Sequence, residues 1–334
     1  MTQISMLRAH SQLVLSVYVI TFLSGLPANV LAFYAFCRKV AQKPTPIDVL
    51  LLNLTVSDLI FLMFLPFRMW EAADNMQWNM PHFLCPLSAF LFYTTIYNST
   101  FFLTAVGVER YLGVAFPIRH SLTRRPVYAV AASVAFWVIS FMHCSIVYIM
   151  SYYHPPGANS TAPPPRRNVC YEDFSTEQLR ILLPVRLELC LVLFCIPFLI
   201  CCFCYVSFIR ILSRLPNIGR RRRLRAMGMA LGTLLVFGLC FGPYNVSHVV
   251  GFVTGRSPRW RDFALLLSTF NACLDPLIFY FSSSAVRSTL SHFLKGLLGR
   301  LQGSDCHRAL CCPLLTYSET DRAKEPHPTQ TNTV

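Results

Sequence analysis

Seven separate stretches of this chain, roughly 11–37, 47–72, 84–116, 126–150, 182–213, 226–253 and 262–283, are predominantly apolar and long enough to cross a bilayer as helices. Such a helix needs about 20 apolar residues, because the hydrocarbon interior holds no water to satisfy an exposed peptide group. Composition agrees. Of 334 residues, 54% are hydrophobic and only 13% charged, more apolar surface than a soluble protein of this length can hide. The first stretch does not read as a cleavable leader, since it is too long and carries Pro27 and Asn29 before a basic exit at Arg38 and Lys39. The expected fold is all-α: a seven-transmembrane-helix bundle over 11–283, preceded by a short N-terminal segment, 1–10. A short amphipathic membrane-surface helix is expected over 284–301, where basic and apolar residues alternate, and a polar tail over 302–334.

The net charge of +14 raises the question of nucleic acid, and its distribution answers it. With the N-terminus extracellular, 20 of the 29 Lys and Arg residues fall in cytoplasmic segments and 9 outside, the densest run being Arg220 to Arg223 with Arg225. That is the positive-inside bias of a plasma-membrane protein with a cytoplasmic C-terminus, and no nucleic-acid partner is expected. Most of the 14 cysteines lie within spans and read as small hydrophobes. Cys85 opens the third span on the outer side and Cys170 lies in the long outer loop, so in that oxidising compartment they are the expected disulfide. The same Pro-rich loop carries the glycosylation triplet at Asn159. Cys306, Cys311 and Cys312, after the amphipathic helix, are palmitoylation candidates, and the tail offers Ser and Thr for phosphorylation.

Each span also holds an internal landmark: Gly25 to Asn29; Asn53-Leu54 with Ser57-Asp58-Leu59; Glu109-Arg110-Tyr111; Trp137; Pro197; Cys240 to Pro243; and Asp275-Pro276 running to Tyr280. In this order, one per span, they resemble the signature set of rhodopsin-like (class A) G-protein-coupled receptors over nearly the whole chain. Phe241 stands where many members have Trp, and Asp275-Pro276 where Asn-Pro is commoner, with Phe279 at the usual Tyr position. The resemblance implies heterotrimeric G proteins and arrestin as partners, the latter through a phosphorylated tail, and Arg110 beside Glu109 as an inactive-state lock. It also implies a switch through Tyr111, Phe241, Pro243, Asp275 and Pro276. No cofactor is expected apart from a candidate allosteric sodium ion at Asp58, Ser99, Asn271 and Asp275. A carboxylate inside a span costs at least about 2.5–3.5 kcal/mol, so Asp58 and Asp275 are expected inside the bundle, either holding the ion or tying helices together.

The residues near the outer ends of the spans suggest a small anion as ligand. Arg186 interrupts an apolar segment of the fifth span, Arg261 enters the seventh, and His143 and His248 add imidazoles. A guanidinium presents a planar donor fork that grips a carboxylate bidentately. Two readings stay open on the residues alone: an anion site, or Arg186 neutralised by Glu172, Glu188 or Asp173 with Arg261 as a solvated rim charge. Leu182 to Glu188, Phe241 to His248, Phe281 to Ser284 and Glu109 to Pro117 look closely like the free fatty acid receptors, nearest those that sense short-chain acids. That similarity implies a receptor for acetate, propionate and butyrate, with Arg186 and Arg261 on the carboxylate and His143, His248, Tyr93 and Tyr244 in support. Glu172 is then a partner for an Arg without ligand, and Tyr148 a limit on chain length. The alternatives are another anionic ligand (a longer fatty acid, hydroxy acid or nucleotide) or a carboxylate transporter. Nothing in the sequence groups a nucleophile, base and orienting residue as an enzyme requires.

Overall fold

A computed structural model describes residues 2–153, 170–171, 174–215 and 219–308, and their regular structure is helical throughout. The first three expected spans are single helices, α1 (Thr2–Gln42), α2 (Pro46–Ala73) and α3 (Leu84–Ala115). A short α4 (Pro117–Thr123) leads to the fourth, broken at Ser145 into α5 (Pro126–Cys144) and α6 (Ile146–Tyr152). The fifth runs as α7 (Thr176–Leu189), a π-turn over Cys190–Cys195 and α8 (Ile196–Arg214). The sixth has the same plan: α9 (Arg220–Leu235), a π-turn over Val236–Phe241, and α10 (Gly242–Thr254). The seventh is α11 (Arg261–Thr269) and α12 (Asn271–Ser282), after which α13 (Ser284–Arg308) runs seven residues past its expected end at 301.

The chain divides into two units, Met1–Leu290, which holds the bundle, and Ser291–Val334, of which 291–308 is helical. Asn159, Glu172, Cys311, Cys312 and the side chain of Cys306 lie outside the described residues.

Six described helical stretches are long and apolar enough to cross a membrane: Leu7–Gln42, Pro46–Ala73, Pro126–Tyr152, Thr176–Arg214, Arg223–Thr254 and Arg261–Ser282. The third expected span, α3, is not among them, although it has 32 residues. The reason is position. It packs against α2, α5, α6 and α8, and its Thr94, Thr95, Asn98, Ser99, Thr100 and Thr104 are buried among protein neighbours. A helix enclosed by other helices need not be apolar all round.

Several of these elements follow from local chemistry. Pro46, Pro117 and Pro126 stand in the first turns of their helices, where a missing N–H leaves no bond unmade. Thr45 caps α2, and Lys39 pairs with Asp48 at 2.7 Å, closing the turn between the first two spans. Both π-turns lie just before a proline, Pro197 or Pro243, which cannot donate to the preceding turn. Around Pro197 the carbonyls are taken by α3: Thr100 Oγ1 donates to Leu193 at 2.8 Å and Thr104 Oγ1 to Pro197 at 3.1 Å. Gly107 allows α3 to approach α8 closely, since a Cβ there would lie 2.9 Å from the Tyr205 ring.

Candidate functional site

The N-terminus of α7 is held firmly, which places Arg186. Ser175 and Gln178 form a reciprocal cap, Gln178 N–H donating to Ser175 Oγ at 3.2 Å and Ser175 N–H to Gln178 Oε1 at 2.9 Å. The Gln178 amide also donates to the Met150 and Tyr153 carbonyls, fixing α7 to the end of the fourth span. Two turns further on, Arg186 is buried, its Nη1 donating to Ser257 Oγ at 2.9 Å and its Nη2 unpartnered. Its guanidinium lies 5.2 Å above the Phe174 ring.

Arg261 opens α11 after a loop that begins at Gly255, whose φ of +67° ends α10 in the left-handed conformation. Its Nη2 donates to Tyr244 at 3.2 Å and Tyr93 at 3.4 Å, and its Nε is unpartnered. The Tyr93 and Tyr244 rings stack at 6.0 Å, and the His248 ring stands edge-on to Tyr244 at 4.5 Å. His248 Nε2 meets the Tyr97 hydroxyl at 3.4 Å while Nδ1 has no partner.

Arg186, Arg261, His248, Tyr93 and Tyr244 therefore line one small cavity, closed further by Tyr97, Cys144, Val147, Tyr171, Leu182 and Leu189. Among the described residues neither arginine forms an ion pair; the partners of both are neutral hydroxyls. Two buried like charges whose described partners are neutral hydroxyls, beside donors without partners among the described residues, form a site chemically suited to an anion. A second cavity adjoins it toward the outer loop, lined by Tyr18, Arg68, Glu71, Tyr171, Arg261 and Asp262 among others. Between the two stands Tyr171, whose phenol burial pushes above its ordinary pKa.

Two expected ligand residues are placed elsewhere. His143 pairs with Glu188 at 3.1 Å and binds the Ile139 carbonyl, so it joins the fourth and fifth spans instead of lining the cavity. That pairing also occupies Glu188, one of the carboxylates considered for Arg186. Tyr148 packs on Phe90 and Tyr152, outside the cavity lining. The Cys85–Cys170 disulfide is present. Three contributors were missed in the sequence: Tyr97, one turn from Tyr93; Ser257; and the Arg68–Glu71 pair, whose two charges inside a span should have flagged it.

Below the cavity, Phe241 packs on Phe237, which meets Phe194 and Phe198 of the fifth span. Deeper still, Asp58 Oδ2 and both oxygens of Asp275 are buried without partners, while Asn271 donates to Ser99 Oγ at 3.2 Å. A set of hard oxygen acceptors with orphaned carboxylates fits a small cation such as sodium. At the inner end, the expected Glu109–Arg110 lock is not formed. Glu109 faces His120 at 3.4 Å and Arg124 at 4.0 Å, whereas Arg110 Nη2 donates to the Ser282 carbonyl at 3.3 Å. Neighbours on a helix diverge by about 100°, so adjacent side chains reach different partners. Tyr111 packs against Phe203 and Phe116.

Residues 28–279 match the family model for the 7 transmembrane receptor (rhodopsin family). The chain is 51% identical to free fatty acid receptor 3 of Mus musculus over 286 residues, 86% of each chain. It is 52% identical to free fatty acid receptor 2 of Mus musculus over 292 residues, again 86% of each, and 50% identical to the Homo sapiens receptor 2 over 297 residues, 88% of each.

Proposed function

The chain belongs to the rhodopsin family of seven-transmembrane receptors, and from that premise we propose that its ligands are short-chain fatty acid carboxylates such as acetate, propionate and butyrate. It is a multi-pass plasma-membrane receptor that passes a small-molecule signal to G proteins, and it is not an enzyme or a transporter. The observation that carries the ligand reading is the Arg186–Arg261 cavity, whose two guanidiniums have no ion-pair partner among the described residues, with the unpartnered Arg186 Nη2, Arg261 Nε and His248 Nδ1 beside them. A carboxylate supplies the charge and the acceptors that these groups lack. The cavity's small volume and aromatic walls favour an acid with few carbons, and the names of its relatives support a fatty acid.

Activation follows from geometry as a population shift. A ligand favours whichever state it binds better. A carboxylate bridging Arg186 and Arg261 favours states in which the fifth and seventh spans are close at this end. Tyr244 and His248 carry that bias to Phe241 on the sixth span, and the Phe237–Phe194–Phe198 cluster passes it to the fifth. The π-turns at Cys190–Cys195 and Val236–Phe241 are the joints that yield, and Arg110 at the inner end meets the G protein.

The charge bias and the disulfide both support an extracellular N-terminus and a cytoplasmic C-terminus. We extend the reading to glycosylation of Asn159, lipidation at Cys306, Cys311 or Cys312 with α13 on the membrane lipid, and arrestin binding by the phosphorylated tail. A sodium ion at Asp58, Ser99, Asn271 and Asp275 is the one inorganic partner proposed, stabilising the state without agonist. The test is nucleotide exchange on a panel of G proteins in membranes bearing the receptor, titrated with acetate, propionate, butyrate, octanoate and laurate. Activation by the two- to four-carbon acids is expected. A response only to the long acids, or to none with surface expression confirmed, overturns the short-acid assignment.

A further inference from the structure

One buried ion pair beside the pocket lies outside the ligand-binding set. Glu71 of α2 is 2% exposed. Its Oε2 takes Arg68 Nη1 at 2.9 Å and its Oε1 accepts the backbone N–H of Cys170 at 2.8 Å, while Arg68 Nη1 also reaches the Cys170 carbonyl at 3.5 Å. The disulfide fixes the sulfur of Cys170 to α3, but torsions between sulfur and backbone leave the direction of the main chain open. The α2 pair settles that direction by holding the N–H and the carbonyl of the same residue. The next residue, Tyr171, has a φ of +60°, a conformation that a bulky residue keeps only where its surroundings over-determine it. Its ring lies 5.8 Å from that of Tyr93, which accepts from Arg261, and 4.8 Å from that of Phe174, which lies under Arg186. Tyr171 thus touches a neighbour of each arginine and lines both cavities.

We infer that Glu71, oriented by Arg68, is a positioning residue for carboxylate ligands: through the Cys170 peptide it holds Tyr171 as the roof of the Arg186–Arg261 pocket. This rests on the short-acid reading. A roof set from α2 decides how much acid fits beneath it. Loosening the tether weakens the shortest acids most, because they rely on full enclosure, and relaxes discrimination against longer ones.

The test uses the full-length receptor with Glu71→Ala, Glu71→Gln, Tyr171→Ala and the Glu71→Ala/Tyr171→Ala double variant. Potencies of propionate and hexanoate in nucleotide exchange are compared with hydrogen–deuterium exchange of the Cys170 amide in purified receptor. Glu71→Ala is expected to speed Cys170 exchange and to raise the propionate EC50 about tenfold, the worth of one buried hydrogen bond, with a smaller shift for hexanoate. Glu71→Gln keeps an acceptor for the Cys170 N–H and restores most of the protection. The double variant is expected to be no worse than Tyr171→Ala, the signature of residues acting through one another. Unchanged Cys170 exchange, equal shifts for both acids, or additive effects in the double variant overturn the inference. Silence of the wild type to every acid overturns the ligand reading instead, and Cys170 exchange then decides the tether by itself: loss of protection in Glu71→Ala upholds it and intact protection overturns it.

Discussion

Replacing Arg186 with Met separates a residue that binds an anion from one that merely builds the fold. The side chain is buried, with Nη1 on Ser257 and Nη2 open to the cavity. Hydrogen bonds to charged groups are worth about 1.5–3 kcal/mol each, so loss of the donor fork removes about 3 kcal/mol or more from acid binding. Propionate has five heavy atoms, which caps its binding at about 7.5 kcal/mol, and a millimolar ligand uses only about 4 kcal/mol of that. The substitution therefore raises the propionate EC50 by about 100-fold or more, beyond a practical titration. Arg186→Lys, which keeps the charge without the planar fork, falls between, at about tenfold. The ligand-free protein shifts the other way. Arg186 and Arg261 are like charges without an ion-pair partner among the described residues, so replacing one with an apolar side chain of similar volume removes a buried charge and its repulsion and is expected to stabilise by about 1–4 kcal/mol, as for buried ionic groups exchanged for packed apolar ones. Thermal unfolding of purified receptor, with and without propionate, measures both effects at once. A higher Tm without ligand, with no further rise on adding propionate, is expected. A variant that responds to propionate within threefold of wild type, or that is destabilised without ligand, refutes the reasoning.

Other consequences rest on the same geometry. Gly107→Ala places a methyl 2.9 Å from the Tyr205 ring, so it is expected to cost about 1–3 kcal/mol and lower the Tm by several degrees with propionate affinity little changed. Asp58→Asn removes a charge from the proposed cation site; replacing sodium with choline should raise acid potency in the wild type and leave the variant unaffected. His143→Ala and Glu188→Ala break one inter-span pair from opposite ends, so a double-mutant cycle on propionate potency should show strong non-additivity, whereas additive effects would place His143 with the ligand independently.

The spans were legible because lipid imposes a simple length and polarity rule on every one of them but the third. There, buried polar side chains face protein, so α3 is the least apolar of the seven although its length and position were still readable. Arg186 could be read from a charge standing in an apolar segment, and Cys85–Cys170 from the compartment the two cysteines share. Partner choice was not legible. Glu109 pairing with His120 in place of Arg110, and His143 with Glu188 in place of a ligand, depend on which helix lies opposite, and linear spacing does not encode that. The same holds for Glu71, whose target is a main-chain N–H 99 residues away. The π-turns escaped too, since a proline announces a disturbance in a helix without saying whether it will be a kink or an extra residue in the turn.

That extra residue has a consequence of its own. In a regular helix each residue advances the face by about 100° and the length by 1.5 Å. A π-turn such as Cys190–Cys195 holds one residue in reserve, so Arg186 above it and Tyr205 below it are out of phase with the wheel drawn from their numbers. Relaxing the turn to ordinary α-geometry would rotate one half of the fifth span against the other by about that angle, with no hydrogen bond lost overall. The span is less a rod than a screw with one spare thread, and a single-residue deletion at this point is absorbed without moving either end off its partners, whereas an insertion is not.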